Sequence, residues 1–208
     1  MRPFHILLIG NGESISNKLL CTLARQADKI VAADGGGSKA LQAGITPDWI
    51  IGDLDSISKR DLRALQPRIL NEVSQENTDL EKALSFITRT LPATHLTMVG
   101  FLGGRWDFSL ANILHLIAYA KKLHITLAGD GWRMHLLTHD TRFSAKPKKR
   151  VSLVPLSKCT GVTLSGLKYP LFNETLTVGT TRSLSNQTTA KEFNVKLKRG
   201  VLLVYQEI

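Results

Sequence analysis

The strongest constraint on the fold is an alternation that runs through the first 140 residues. Short apolar or β-branched runs end in Gly or Asp, at 6–10, 29–35, 49–53, 94–100 and 125–129. Between them lie stretches with apolar residues at helical spacing. Residues 16–27 place Leu19, Leu20 and Leu23 on one side. Residues 78–91 do the same with Leu80, Leu84, Ile87 and Leu91, and 107–123 with Leu110, Ile113, Leu114 and Ile117. Strand, helix and strand repeated in this way predict a mostly parallel sheet covered by helices.

The pattern changes near Thr138. Residues 141–150 hold Pro147 and the basic run Lys146, Lys148, Lys149 and Arg150, and read as a connection. After them come only short strand-like runs, at 151–156, 161–164, 175–178, 192–197 and 201–205. Lys198-Arg199-Gly200 reads as a hairpin turn. The expectation is therefore α/β: a mostly parallel α/β domain over 1–140, then a small all-β, sandwich-like domain over 141–208.

The formal net charge is +10, and its placement is uneven. From Thr141 onward there are 12 basic and 3 acidic residues, a net +9, so nearly all of the excess lies in the last third. Such asymmetry fits a polyanion partner, a charge-split active site or a solvated basic face. No stretch approaches the roughly 20 apolar residues of a membrane span. Nor is there a signal-peptide pattern at the start. Cys21 and Cys159 lack metal-ligand spacing and suit reduced thiols in the cytoplasm. The six histidines show no H-E-x-x-H arrangement, so no zinc site is expected.

Ligands of a parallel sheet bind beyond the carboxyl ends of its strands. The residues there are consistently acidic and glycine-rich. One strand leads into Asp34-Gly35-Gly36-Gly37, another into Gly52-Asp53-Leu54-Asp55-Ser56, and a third into Gly103-Gly104-Arg105-Trp106-Asp107. Gln75-Glu76-Asn77-Thr78-Asp79 precedes a helix. Carboxylates converging on one rim repel each other unless a hard cation such as Mg²⁺ sits among them. Asp53 and Asp55, two apart, share a face of an extended backbone. Glycine runs let backbone N–H groups approach phosphate oxygens, and Lys82 and Arg105 would balance phosphate charge. The inventory describes a magnesium-bound polyphosphate site suited to phosphoryl-type transfer. Plainer readings stand beside it. Residues 35–37 also read as a simple turn. Thr78 and Glu81 form a capping-box pattern, and Asp107 a helix start. No Walker-type loop occurs, and Gly10-Asn11-Gly12 lacks the third glycine of a dinucleotide fingerprint.

Taken in order, these segments resemble the thiamine pyrophosphokinase family. The matching residues are Ala33-Asp34-Gly35-Gly36, Pro47-Asp48 running into Gly52–Ser56, Gln75-x-x-Thr78-Asp79-x-x-Lys82, and Gly103–Asp107 followed by Asn112. Later come Gly166–Leu171, Ser183-Leu184-Ser185-Asn186 and Gly200–Val204. Ser74 and Phe108 depart from the pattern, standing where the family commonly has Asp and His. The resemblance implies an α/β nucleotide domain joined to a β domain, working as a homodimer with shared active sites. It implies transfer of a diphosphoryl group from ATP to the hydroxyl of thiamine, releasing AMP. By position, Asp53 and Asp55 would hold Mg²⁺. Asp34, Gly35, Gly36, Gln75, Thr78, Asp79 and Lys82 would line the polyphosphate site. Arg105, Asp107 and Asn112 would shape the nucleotide and thiamine side, with Asp79 or Asp107 as proton acceptor. Ser185 and Asn186 would enclose thiamine. Phe172 and Phe193 are candidate aromatics for stacking on it, although Phe193 in an alternating strand reads as core.

Two alternatives remain at this level. A glycosyltransferase would use Asp53 and Asp55 to hold a metal and a sugar nucleotide, but would leave 75–82 and the β domain idle. A nucleic-acid-binding protein would use the basic last third, and its acidic rim would then repel phosphate.

Overall fold

The computed structural model describes residues 4–12, 15–52, 57, 61, 68–71 and 76–208. The chain divides into two compact units, Met1–His115 and Leu116–Ile208. In the first, β1 (His5–Ile9), β2 (Lys29–Ala33), β3 (Trp49–Gly52), β4 (Arg68–Asn71) and β5 (His95–Val99) form parallel pairs in the order β4-β3-β2-β1-β5. Ile6, Leu7, Leu8, Leu96 and Met98 are all at most 1% exposed. Both faces of these strands are covered, so they read in sequence as continuous apolar runs rather than as an alternation.

Among the described residues four helices accompany the sheet: α1 (Asn17–Gln26), α2 (Gly36–Gln42), α3 (Asp79–Thr90) and α4 (Trp106–His115). Two begin on the expected caps. The Ser16 hydroxyl accepts from Leu19 N–H at 3.2 Å, and the Thr78 hydroxyl from Glu81 N–H at 3.3 Å. Each satisfies one of the amides left open at a helix start. The capping box at α3 is half made, because the Glu81 carboxylate returns no bond to Thr78 among the described residues.

Two expectations in this unit are corrected. Residues 35–37 are not a simple turn but the start of α2, with Gly35 as its N-cap. A Cβ on Gly36 would lie 2.1 Å from the carbonyl oxygen of Ile9, so the helix start touches the end of β1 and only glycine fits. Glycine opposes helix by intrinsic propensity, and packing overrides it here. The helix expected over 107–123 ends at His115 and is followed by a short 3-10 turn, Leu116–Ala118. Leu110 and Leu114, expected on its packed side, are 61% and 48% exposed. That helix is apolar around much of its circumference, so spacing alone does not select the buried face.

The second unit is built from nine antiparallel strands. These are β6 (His124–Gly129), β7 (Trp132–Leu137), β8 (Thr141–Ser144), β9 (Arg150–Pro155), β10 (Cys159–Ser165), β11 (Leu171–Leu176), β12 (Asn186–Gln187), β13 (Glu192–Lys196) and β14 (Leu202–Glu207). One row runs β12-β9-β14-β7-β6 and the other β11-β10-β13-β8. Val151 and Leu153 from β9, Leu202 and Val204 from β14, and Val162 and Leu164 from β10 fill one apolar core. Their spacing of two is the period of a half-buried strand. Phe193 is fully buried and stacks on Phe143 with ring centroids 4.8 Å apart, so it is core, as its alternating strand suggested.

Three readings of this unit change. Residues 141–150 are not all connection, since 141–144 form β8 against β13. Residues 198–200 do not close a hairpin, because β13 and β14 lie in different sheets and the turn crosses between them. The strand expected over 175–178 sits earlier, at Leu171–Leu176, and Val178 is 67% exposed. Leu171 and Leu176 are both buried although an odd number of residues apart. Register shifts in the β10–β11 pairing make that arrangement possible. Asn173 has φ +50, and its N–H donates to the Thr163 hydroxyl at 2.9 Å. A simple alternation rule cannot see such an irregular strand.

Candidate active site

In a parallel sheet the loops part where the strand order reverses, beyond the carboxyl ends of the two strands that flank the reversal. Here β1 lies between β2 and β5, so the reversal falls between β1 and β5. A cavity of about 420 Å³ opens at that place, entirely within the first unit. Gly10, Asn11 and Gly12 border it from the end of β1, and Gly100 and Phe101 from the end of β5. The two strand ends are drawn tightly together. Gly10 N–H donates to Val99 at 2.8 Å, and a Cβ on Gly100 would lie 2.4 Å from the Gly10 carbonyl oxygen. On the far side of the loop the Lys39 ammonium donates to the Gly12 carbonyl at 2.5 Å. Burial pushes the pKa of Lys39 down.

Asp34 borders the cavity from the end of β2. It sits at φ +42, a left-handed conformation that Asp tolerates better than most residues. Its N–H donates to Ile51 and its carbonyl accepts from Gly37 N–H, at 2.8 and 2.9 Å, so the backbone is pinned on both sides. The side chain is 8% exposed, and Oδ1 is buried without a hydrogen-bond partner among the described residues. A buried carboxylate oxygen without a donor is costly unless a cation or proton meets it. The donor chemistry fits a divalent cation, which takes hard oxygen ligands. Asp53, Asp55 and Gln75, the other residues assigned to metal and polyphosphate, lie outside the described residues.

Thr78 and Asp79 bring the start of α3 to the same cavity. The Thr78 hydroxyl is occupied as a cap. The Asp79 side chain is 40% exposed, and the Lys82 ammonium lies 3.5 Å from its Oδ1. Lys82 itself is 5% exposed and does not border the cavity, whereas Asp79, its ion-pair partner, does. Gly35 and Gly36 do not border the cavity either.

The fourth side is the segment before α4. Gly103 N–H donates to the Ser109 hydroxyl at 2.9 Å, and that hydroxyl donates to the Arg105 carbonyl at 3.0 Å. This fixes Arg105, which borders the cavity, with its guanidinium 4.4 Å from the Phe108 ring. Arg105 grips Asp107 with two N–H donors, Nε to Oδ1 at 3.1 Å and a terminal nitrogen to Oδ2. The hydrogen bond from Arg105 holds the Asp107 carboxyl below the ordinary carboxylate range. Asp107 does not border the cavity. Asn112 does, and its amide donates to the Phe101 carbonyl at 2.8 Å.

Ser185 and Asn186 lie in the second unit, beside a separate cavity of about 300 Å³. Asn186 is 3% exposed and fully engaged: Oδ1 accepts from Tyr169 and Gln187 N–H, and Nδ2 donates to the Tyr169 carbonyl. Ser185 has φ +54, and its N–H donates to the Ser152 hydroxyl at 2.9 Å. Phe172 is 75% exposed and borders neither cavity. Sequence reasoning passed over Phe101 and Tyr169 as wall residues. Phe101 follows a strand end, so the rule that selected Asp34 would have found it. Tyr169 carries no such signal.

Comparison with known proteins bears on the fold and the family. Residues 20–127 match the family model described as thiamin pyrophosphokinase, catalytic domain, and residues 135–202 match thiamin pyrophosphokinase, vitamin B1 binding domain. The chain is 28% identical over 184 residues to thiamine pyrophosphokinase of Bacillus subtilis, covering 84% of this chain and 85% of that protein. It is 26% identical over 226 residues to thiamin pyrophosphokinase 1 of Caenorhabditis elegans, covering 97% and 92%. The crystal structure of the Bacillus subtilis thiamine pyrophosphokinase superposes with a TM-score of 0.85 at 25% identity, over 98% of each chain. With both family models matched in order along its length, the chain belongs to the thiamin pyrophosphokinase family.

Proposed function

We propose that this chain transfers a diphosphoryl group from ATP to the hydroxyl of thiamine, giving thiamine diphosphate and AMP. The observation that carries the reading is the cavity at the strand-order reversal, with Asp34, whose Oδ1 is buried without a partner among the described residues, on one wall and Asp79 and Arg105 on others. The sugar-nucleotide and nucleic-acid alternatives find no support in the Bacillus subtilis and Caenorhabditis elegans relatives, both named thiamine pyrophosphokinase.

Asp34, with Asp53 and Asp55, would hold a divalent cation, which we take to be Mg²⁺. When bound, that ion would offset phosphate charge and let the carboxylates share one rim. The chain's own residues do the rest. Gly10, Gly12 and Gly103 N–H are spent on Val99, Gly100 and the Ser109 hydroxyl, so the backbone offered to phosphate oxygens would be that of Asn11 and Gly104, which border the cavity. Arg105 supplies a fixed positive charge to the phosphates, with Asp107 as the residue that positions it. We assign the proton acceptor to Asp79, which borders the cavity, rather than to Asp107, whose carboxylate is committed to Arg105. In the step, the thiamine hydroxyl oxygen bonds to the β-phosphorus and its proton passes to Asp79. The bond from that phosphorus to the bridging oxygen breaks, and AMP leaves with that oxygen. Asn112, Ser185 and Asn186 would contribute to enclosing thiamine, the last two from the second subunit of a homodimer. We place the activity in the cytoplasm. Both cysteines are free thiols, and no described helix is long and apolar enough to cross a membrane.

Incubating the protein with ATP, Mg²⁺ and thiamine should yield AMP and thiamine diphosphate in equal amounts. ADP as the product would indicate single-phosphate transfer instead, and absence of any product would end the proposal. Asp53→Asn should abolish metal-dependent turnover while leaving the protein folded.

A further inference from the structure

The basic excess of the last third is unused by the reaction described above. Part of it converges on one place. The 300 Å³ cavity of the second unit is walled by Lys148, Arg150 and Lys168 together with Tyr169, Ser185 and Glu207. None of these three cations makes an ion pair among the described residues. The one carboxylate in the wall is already committed. Glu207 accepts from the Lys149 ammonium and from Arg150 N–H, both at 3.2 Å. The Arg150 N–H is the largest cause holding its carboxyl low, and the Arg150 side-chain charge adds a smaller effect. The Asn186 amide is consumed by its bonds to Tyr169 and Gln187. What the cavity still offers includes positive charge, with the Lys168 ammonium 5.3 Å from the centre of the Tyr169 ring, and the Ser185 hydroxyl. A phosphate chain would be attracted there.

The cavity is also preformed. Lys168 N–H donates to the Gln187 carbonyl at 2.8 Å, and Asn186 ties Tyr169 through both its N–H and its carbonyl. Lys148 stands at φ +66, with its N–H donating to the Thr188 carbonyl at 2.8 Å. The Thr188 hydroxyl, 1% exposed, accepts from Lys149 N–H at 2.9 Å. Three cations are thus carried on backbone that is fixed by hydrogen bonds, which lowers the entropy lost when they close on a ligand.

We propose that this cavity binds a di- or triphosphate chain through Lys148, Arg150 and Lys168. Two sources share that chemistry, the nucleoside triphosphate substrate and the diphosphate ester product. The site stands on its own charge and geometry, and does not require the transfer reaction to be right.

The test uses the full chain in metal-free buffer, so that the acidic first unit repels phosphate. Inorganic tripolyphosphate is the probe, and backbone hydrogen exchange is the readout. The expected result is protection confined to residues 148–150, 168–169 and 185–187, weakening as salt rises. Lys168→Ala should cut affinity about tenfold and Lys168→Arg should restore most of it. The double variant Lys148→Ala, Arg150→Ala should lose about a hundredfold. All three side chains are exposed, so these variants should fold, and Lys168→Ala decides the matter if the double variant does not. Parallel titrations separate the sources: tighter thiamine diphosphate indicates the product, and tighter ATP the substrate. No protection at about 10 mM probe, or protection that survives Lys168→Ala and the double variant, would overturn the proposal. Because no turnover is read, failure of the transferase assay leaves this result unaffected.

Discussion

Asn186 grips Tyr169 at both polar atoms of its backbone: its Oδ1 accepts from Tyr169 N–H at 3.0 Å, and its Nδ2 donates to the Tyr169 carbonyl at 2.7 Å. A residue assigned to thiamine by family position therefore spends its amide on the loop that forms one cavity wall. Asn186→Ala should destabilise the protein by about 1–3 kcal/mol and weaken thiamine binding more than ATP binding. Asn186→Asp keeps the acceptor but turns a carboxylate toward the Tyr169 carbonyl, and should be no milder. Chemical denaturation together with separate KM values for the two substrates checks this; an unchanged denaturation midpoint in both variants would show the clasp to be dispensable.

Asp34→Asn addresses the unpartnered carboxylate. Asn accepts the left-handed backbone found there, so the fold should survive. In chelator, the variant should be more stable than the parent by about 1–3 kcal/mol, since it removes a carboxylate whose Oδ1 is buried without a partner among the described residues. Added Mg²⁺ should raise the melting temperature of the parent and not that of the variant, because only a binding-competent native state is stabilised by ligand. Turnover should fall at least about a hundredfold, in line with loss of a group acting on developing charge.

Asp107→Asn tests positioning. With one carboxylate oxygen lost, Arg105 keeps its charge but not its two-point orientation. The KM for ATP should rise about tenfold with a smaller change in kcat. A collapse of kcat at unchanged KM would instead make Asp107 the proton acceptor.

Gly36→Ala is a packing test at the start of α2, against the end of β1. The added methyl would meet the Ile9 carbonyl at 2.1 Å, and that atom is backbone and cannot swing aside. A loss of about 3 kcal/mol or more is expected, read as a lowered denaturation midpoint. Ser38→Ala in the same helix should cost far less, since among the described residues the Ser38 hydroxyl makes one hydrogen bond, to Asp61.

His135 gives the protein a predictable acid limit. Burial, with a smaller effect from Arg133, pushes its pKa down to about 4 from 6.5. Its ring packs on Phe143 at 5.0 Å, and Nδ1 lies 3.1 Å from the Thr126 hydroxyl. The unfolded chain binds this proton at higher pH than the folded one. Stability from the neutral ring is thus fully present above about pH 6.5 and is lost as pH falls toward 4. The loss should total about 3 kcal/mol. His135→Phe should flatten the stability profile between pH 6.5 and 4, and a slope unchanged by the substitution would exclude His135 as its source.

The sequence alone determined the class of the fold and the chemistry of its rim. Continuous apolar runs ending in Gly or Asp could only become covered parallel strands, and period-two runs could only become sandwich strands, because each pattern buries its apolar face in one way. The acids and glycines after those strands were legible because strand ends are where a parallel sheet exposes its loops. Tertiary structure decided the rest. Gly36 heads a helix because the Ile9 carbonyl leaves no room for a side chain. Leu110 and Leu114 face outward because an apolar helix does not declare which side is covered. Leu171 and Leu176 both point inward only through irregular pairing with β10. Asp34 and Asp79 meet at one cavity because β1 lies between β2 and β5, and Lys148, Arg150 and Lys168 converge because hydrogen bonds fix their backbones. These relations depend on contacts between distant residues, and local pattern carries no record of them.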